Sequence, residues 1–230
     1  SCRTRGHAPL DFSGKKTAKS CVTISAGSEH CLALCSDGTL ASWGNNTSGQ
    51  VGDSTFLIRP LPVIVDPVGE LYGKNVSLVS AGDRHTLALC SDGTLTGWGY
   101  DGVDGGIQSS IPIALDQGEV LSDKTIIDIA AGNDLSTILC SDGTIASIGI
   151  NDRGQLGDGT PNESSIPVET DQRIVLGDKF LRCLSLSLTG SKASHVLSIY
   201  SNPLKAPSSS KSAIKARFTK KIKKFSKKYK

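Results

Sequence analysis

The sequence repeats itself at intervals of 50 to 55 residues. Each copy begins with an Ala-Gly pair, continues through a short apolar run, and then contains Leu-Cys-Ser-Asp-Gly-Thr. The glycines that open the three copies are Gly27, Gly82 and Gly132. A unit of this length is too small to bury both faces of a sheet alone, so neighbouring copies must pack on each other. The repeat therefore predicts an array of similar units.

The repeat divides the chain into six predicted segments. They are the end of a preceding repeat (1–25), three full repeats (26–75, 76–125 and 126–175), a truncated terminal repeat (176–203) and a basic linker with a helix (204–230). The chain contains no Met, which favours a fragment of a longer protein. The middle repeat is five residues shorter than the others, at the segment 104–108, which places the length change in a loop.

The local pattern within each repeat is that of β-strands. Short apolar runs such as VTISAG and HCLALC are rich in β-branched and apolar residues and are bounded by turn residues. An Asp-Gly pair separates two runs in every copy and predicts a hairpin with a type I′ turn. These pairs are Asp37-Gly38, Asp92-Gly93 and Asp142-Gly143. Three or four short strands per unit indicate an all-β radial array.

Several polar and aromatic residues recur at fixed repeat positions. His30, His85 and His195 share one position, and Trp43 and Trp98 share another. A metal or catalytic role would need converging partners, whereas equivalent positions of a radial array are spread around its axis. We therefore interpret these residues as packing and hydrogen-bonding groups.

No motif of an enzyme or a cofactor site stands out. Cys35, Cys90 and Cys140 recur once per unit, which predicts small buried apolar residues rather than disulfides. Asp53 and Asp158 lie in Gly-Gln-x-Gly-Asp segments, where turn chemistry explains them better than acid–base or metal chemistry. The sequence predicts a protein that is not an enzyme, with no cofactor and no metal.

The C-terminal segment differs from the rest in charge. Residues 205–230 carry 11 of the 25 Lys and Arg, whereas the first 204 residues hold 14 basic and 22 acidic residues. Apolar residues at helical spacing predict a basic amphipathic helix, which could bind an anionic membrane surface, nucleic acid or a partner's groove, or stay solvated. Its predicted binding residues are Ile214, Arg217, Phe218, Lys220, Lys221, Ile222, Lys223, Lys224, Phe225 and Tyr229.

The repeat motifs resemble those of the regulator of chromosome condensation repeat family. The resemblance rests on AGxxHxLAL, CSDGT, the Trp-Gly pair and GQLGDGT, and covers roughly residues 10–200. It implies a β-propeller of the seven-bladed type, of which about three and a half repeats are present. A partial ring would expose sheet faces and strand edges, so the resemblance also implies self-association or further blades that close the ring.

The resemblance also bears on function. Members of the family act as protein-binding scaffolds and as guanine nucleotide exchange factors for small GTPases. We expect a non-enzymatic scaffold whose loops, Asn45–Ser54, Tyr100–Ser110 and Asn151–Ser164, form a rim that binds a protein; exchange activity is the alternative. With no signal peptide or membrane-spanning run, the sequence favours a cytoplasmic location and is compatible with a nuclear one.

Overall fold

The computed structural model describes residues 20–66, 69–103, 105–171, 180–188 and 194–201. These residues form three four-stranded antiparallel sheets and one two-stranded sheet. No helix occurs in the described ranges, and the predicted all-β class is confirmed. The predicted basic helix and its binding residues lie outside them. No helix of the described part is long and apolar enough to cross a membrane.

Each four-stranded sheet contains one copy of the repeat motifs and is called a blade. Blade one contains β1 (Cys21–Ala26), β2 (His30–Cys35), β3 (Leu40–Gly44) and β4 (Arg59–Ile64). Blade two contains β5 (Val76–Ala81), β6 (His85–Cys90), β7 (Leu95–Tyr100) and β8 (Gln108–Ala114). Blade three contains β9 (Ile126–Ala131), β10 (Leu135–Cys140), β11 (Ile145–Gly149) and β12 (Ser164–Glu169). The two-stranded sheet pairs β13 (Phe180–Leu188) with β14 (Ser194–Ser201).

The sheets follow one another as blades of a β-propeller. Within each blade the strands are hydrogen-bonded in sequence order, and the first strands of successive blades contact each other: β1 contacts β5, β5 contacts β9, and β9 contacts β13. The first strands therefore lie innermost. Because the strands alternate in direction, the loops that follow the first and third strands lie at one end of the blades, and the Asp-Gly hairpins lie at the other.

The Asp-Gly hairpins form as predicted, but the type I′ turn is wrong. A type I′ turn needs positive φ at both central residues, and Asp37, Asp92 and Asp142 are not among the described residues with positive φ. In the first hairpin, Gly38 N donates to Cys35 O at 3.0 Å and Cys35 N donates to Thr39 O at 2.8 Å. This is a three-residue loop that ends in a left-handed glycine, with φ of 81°.

Two hydrophobic clusters hold the blades together. One lies between blades one and two and includes Leu32, Leu34, Leu40 and Trp98, all buried. The other includes Leu87, Ile107, Ile138 and Ile148, and joins blades two and three. We call these two contacts joint one and joint two.

Blade one has an open face on the side away from blade two. Ile24 is 75% exposed there, whereas the corresponding Ile129 of blade three is buried. Trp43, which corresponds to the buried Trp98, is only partly buried. The same repeat positions are therefore covered wherever a preceding blade is present.

Candidate protein-binding surface

A chain of hydrogen bonds crosses joint one between the repeated residues. The Gln50 carbonyl of blade one accepts both Trp98 Nε1–H and Thr86 Oγ1–H of blade two, each at 2.9 Å. Since Thr86 uses its proton in that bond, its oxygen accepts from His30 Nε2 at 2.8 Å. These contacts give His30 and Trp98 structural roles at the blade joint.

The recurring histidines are held neutral by their surroundings. In joint two, His85 Nε2 lies 3.0 Å from Ser136 Oγ, as His30 does from Thr86 in joint one. Desolvation lowers the pKa of His30 to about 4 and that of His85 to about 3. The side chain of His195 lies outside the described part of the structure, and Leu135 fills the position in blade three.

The Ala-Gly pairs lie at close contacts between the backbones of neighbouring blades. Asp83 N donates to Gly132 O at 3.0 Å, and Ser28 N lies 3.3 Å from Gly82 O. A Cβ atom on Gly82 would come within 2.6 Å of Gly132 O, and one on Gly27 within 2.1 Å of Gly82 O. Glycine is therefore required at Gly27 and Gly82 by the approach of the next blade.

Three buried polar residues that the sequence analysis missed organise the loops after the third strands. The Asn46 side chain accepts from Val51 N at 2.9 Å, Asn151 accepts from Leu156 N at 2.8 Å, and Asp101 accepts from Ile107 N at 2.9 Å. Their common sequence signal is a side-chain amide or carboxylate two residues after the strand glycine. Burial raises the pKa of Asp101 above its ordinary value.

The aspartates of the Gly-Gln-x-Gly-Asp segments belong to the same networks. Asp53 accepts bonds from Asn46 and Thr55 and forms an ion pair with Arg59, and Asp158 accepts from Asn151 at 3.2 Å. The described residues contain no group of three His, Cys, Asp or Glu that could hold a metal ion. Cys90 and Cys140 are buried thiols, whereas Cys35 is only partly buried.

Much of the loop Asn45–Ser54 fills joint one and does not form a rim. Asn46, Gln50 and Val51 are at most 1% exposed, since the loop folds against blade two. The exposed part follows directly: Phe56, Leu57 and Ile58 are 60%, 63% and 63% exposed. We call these three residues the apolar loop tip.

The exposure of the apolar loop tip does not come from the open face of blade one. Ser54, two residues before the tip, donates its amide to Ser110 O of blade two at 3.0 Å, so the loop lies on the covered side. The corresponding residues of blade three are Pro161-Asn162-Glu163, which are polar or small and also exposed. A run of three exposed apolar residues is unusual in a folded protein unless it serves binding.

Part of the described chain matches a known repeat family in sequence. Two family models, each described as a regulator of chromosome condensation (RCC1) repeat, match residues 21–50 and 76–105 in one case and residues 37–89 in the other. The Arabidopsis thaliana ultraviolet-B receptor UVR8 is 37% identical over 79 residues, which is 34% of this chain and 17% of that protein. The Schizosaccharomyces pombe protein pim1 is 36% identical over 85 residues, 36% of this chain and 16% of that protein.

Solved structures agree on the fold. Human WBSCR16 superposes with a TM-score of 0.68 at 24% identity, over 81% of this chain and 46% of that one. Yeast RCC1 (Prp20), solved bound to Kap60, superposes with a TM-score of 0.61 at 21% identity, over 80% and 43%. The chain thus spans less than half of each structure and less than a fifth of these two sequence relatives. The motifs, the blades and these matches together show that residues 21–105 of the chain carry regulator of chromosome condensation repeats.

Proposed function

We propose that this protein is a non-enzymatic interaction scaffold that binds a protein partner through the apolar loop tip. The observation that carries the proposal is the exposure of Phe56, Leu57 and Ile58 at a position where blade three has Pro161-Asn162-Glu163. Burying a large apolar side chain in an interface contributes about 1.5–3 kcal/mol. Three such neighbours can therefore form the centre of a binding site.

The base of the loop supports this role because it is fixed before any partner arrives. Asp53 forms an ion pair with Arg59, and hydrogen bonds from Asn46 and Thr55 help to hold the pKa of Asp53 below its ordinary value despite burial. Asn46 Nδ2 also donates to Thr55 O at 2.9 Å, directly before the tip. A tip on a rigid base loses less conformational entropy on binding.

Named relatives support a protein as the partner. One yeast structure with this fold is of RCC1 (Prp20) bound to Kap60, and another is of Prp20p, studied with its binding properties to Gsp1p and histones. These partners belong to those proteins. They support the class of partner proposed here, which is another protein.

A loop exchange within the chain tests the proposal. Phe56→Pro, Leu57→Asn and Ile58→Glu together replace the tip with the residues that blade three carries. We expect the triple variant to keep its melting temperature, because the replaced side chains are exposed. In quantitative affinity purification it should recover at least tenfold less of the partner than the wild type does.

The control is Tyr72→Ser, which removes another exposed aromatic side chain, 78% exposed, far from the loop tip in sequence. Equal recovery of partners by the wild type and the triple variant would contradict the proposal. Exchange activity is tested separately with nucleotide release from a small GTPase captured as partner. Accelerated release would replace the scaffold role with that of an exchange factor.

A further inference from the structure

Joint two lacks a chain segment that fills joint one. Ile107 takes the place of Val51, because each donates its amide to the buried side chain that organises its loop. The chain pairs again with the glycine that ends the third strand, Gly44 or Gly99, at different distances from these residues. In blade one the pairing residue is Arg59, eight residues after Val51, and in blade two it is Ser109, only two residues after Ile107. The residues that blade two lacks would therefore lie after Ile107. The motif spacing in the sequence had placed the loss across the segment 104–108. One extra residue before Ile107 leaves the net difference of five.

The missing segment leaves a cavity between blades two and three of about 260 Å³. Its lining includes the apolar residues Ile107, Leu115, Ile148 and Ile166, together with Asp116 and Ser165. In joint one the equivalent space holds Gly52, whose added Cβ would come within 2.6 Å of Trp98 Nε1. Ile148 stands at the position of Trp98 and fills less of the space. The volume is below the roughly 300–1,000 Å³ of typical small-molecule sites, and suits a short peptide turn.

Two backbone groups at this cavity lack the partners that their counterparts have. Asp66 N donates to Gly52 O at 2.8 Å, and Asp171 N donates to Gly157 O at 2.8 Å, but no described residue accepts from Asp116 N. Ser110 O accepts from Ser54 N at 3.0 Å, whereas no described residue of blade two donates to its counterpart, Ser165 O. One donor and one acceptor thus lie at the open edge of the cavity without a partner among the described residues.

The segment that satisfies these groups elsewhere has a defined backbone. Gly52 and Ser54 both have positive φ, 79° and 63°, and so do their blade-three counterparts Gly157 and Gly159, at 70° and 86°. The first residue supplies the carbonyl, and in blade one the third supplies the amide. Positive φ at both positions favours glycine.

We propose that the cavity between blades two and three binds a Gly-x-Gly turn of a partner protein. The carbonyl of the first glycine accepts from Asp116 N–H, and the amide of the second donates to Ser165 O. The apolar side chains of the cavity pack against the turn and bury part of its backbone. The site is separate from the apolar loop tip, so it adds a second contact to the proposed scaffold and does not depend on the first.

The test uses the full chain and a capped peptide, acetyl-Leu-Gly-Asp-Gly-Thr-amide, which copies residues 156–160. We expect its titration to shift the backbone amide resonances of Asp116 and Ile166, with a dissociation constant in the millimolar range, and to leave Asp66 and Ile111 of joint one unshifted. The matched control peptide has Val in place of both glycines, which opposes positive φ, and should bind at least tenfold more weakly.

Two variants fill the cavity and should each weaken peptide binding at least tenfold. One carries a copy of residues 157–162 between Ile107 and Gln108, and the other is Ile148→Trp, which places an indole where Trp98 lies in joint one. Exchange of the loop tip should leave peptide binding unchanged, which separates this proposal from the first. No shift at Asp116, equal binding of both peptides, or unchanged binding by both filled variants would overturn the proposal. Shifts that depend on protein concentration without peptide would instead indicate a second copy as the occupant, and would also overturn it.

Discussion

Joint one and joint two are built from the same repeat positions but are closed in different ways. Joint one contains an indole, Trp98, whose N–H is accepted by the Gln50 carbonyl, and a loop segment that covers the ring edge. Joint two has Ile148 in place of the indole and lacks the loop segment. Ile148 is smaller than an indole, and the segment that would cover it is absent. The smaller side chain and the missing segment together account for the cavity in joint two.

Acid should break both joints and is expected to have the largest effect. The folded-state pKa values of His30 and His85, about 4 and about 3, lie below the ordinary value of 6.5. The unfolded chain therefore binds more protons below pH 6.5, and stability is lost as the pH falls through 6.5 towards the folded values. The expected loss is on the order of 3 kcal/mol for His30 and at least as much for His85.

Urea denaturation followed by circular dichroism between pH 7 and pH 4 measures this loss. His30→Leu and His85→Leu copy Leu135 of blade three. Each should reduce the loss of unfolding free energy between pH 7 and pH 4, and the size of each reduction gives the contribution of that joint. A profile that stays equally steep in both variants would show that other groups control the acid response.

The next largest effect should come from truncating the residue that distinguishes the joints. Trp98→Ala removes a fully buried indole together with its bond to Gln50 O, and should cost about 3–5 kcal/mol. Ile148→Ala removes fewer atoms beside an existing cavity, and should cost about 2 kcal/mol. The free energies of unfolding of both variants are measured from their urea denaturation midpoints at pH 7, after checking that the slopes of the transitions match the wild type. Equal costs would mean that the joints are energetically alike.

Most of the fold was accessible from the sequence because the repeat fixes it. The positions of Gly27, Gly82, His30 and Trp98 recur in phase, and each turned out to lie at a contact between blades. The turn type was wrong because an Asp-Gly pair is compatible with both two-residue and three-residue hairpin loops, and only the backbone angles distinguish them. Loop folding was also missed, since the burial of Gln50 depends on the neighbouring blade and leaves no periodic signal.

The cavity in joint two illustrates a further limit of the sequence. Counting residues located the shortened repeat, but an alignment by motif placed the loss at 104–108. The hydrogen bond from Ile107 N to Asp101 shows that the first half of the turn is kept and that the covering segment is lost. The functional consequence follows from the residues left behind, Asp116 and Ser165, neither of which is unusual in sequence.

The smallest expected effect concerns an ion pair that, among the described residues, crosses joint two but not joint one. Arg84 of blade two binds Asp134 of blade three at 2.8 Å and lies 4.8 Å from the centre of the Tyr100 ring. At the same repeat position blade one has Glu29, which accepts from Asn45 of its own blade at 2.5 Å. The Arg84 side chain is 41% exposed, so solvent screens the pair and Arg84→Ala should cost less than about 1 kcal/mol.

The cost should shrink further as salt is raised from 0.05 M to 1 M, because the screening length falls below the spacing of exposed charges. Arg84→Lys keeps the charge but loses the planar group over Tyr100, so its cost separates the ring contact from the ion pair. A cost above 2 kcal/mol that does not change with salt would mean that the pair is shielded from solvent. In that case the Arg84–Asp134 ion pair would stabilise joint two, and the two joints would differ in electrostatics as well as in packing.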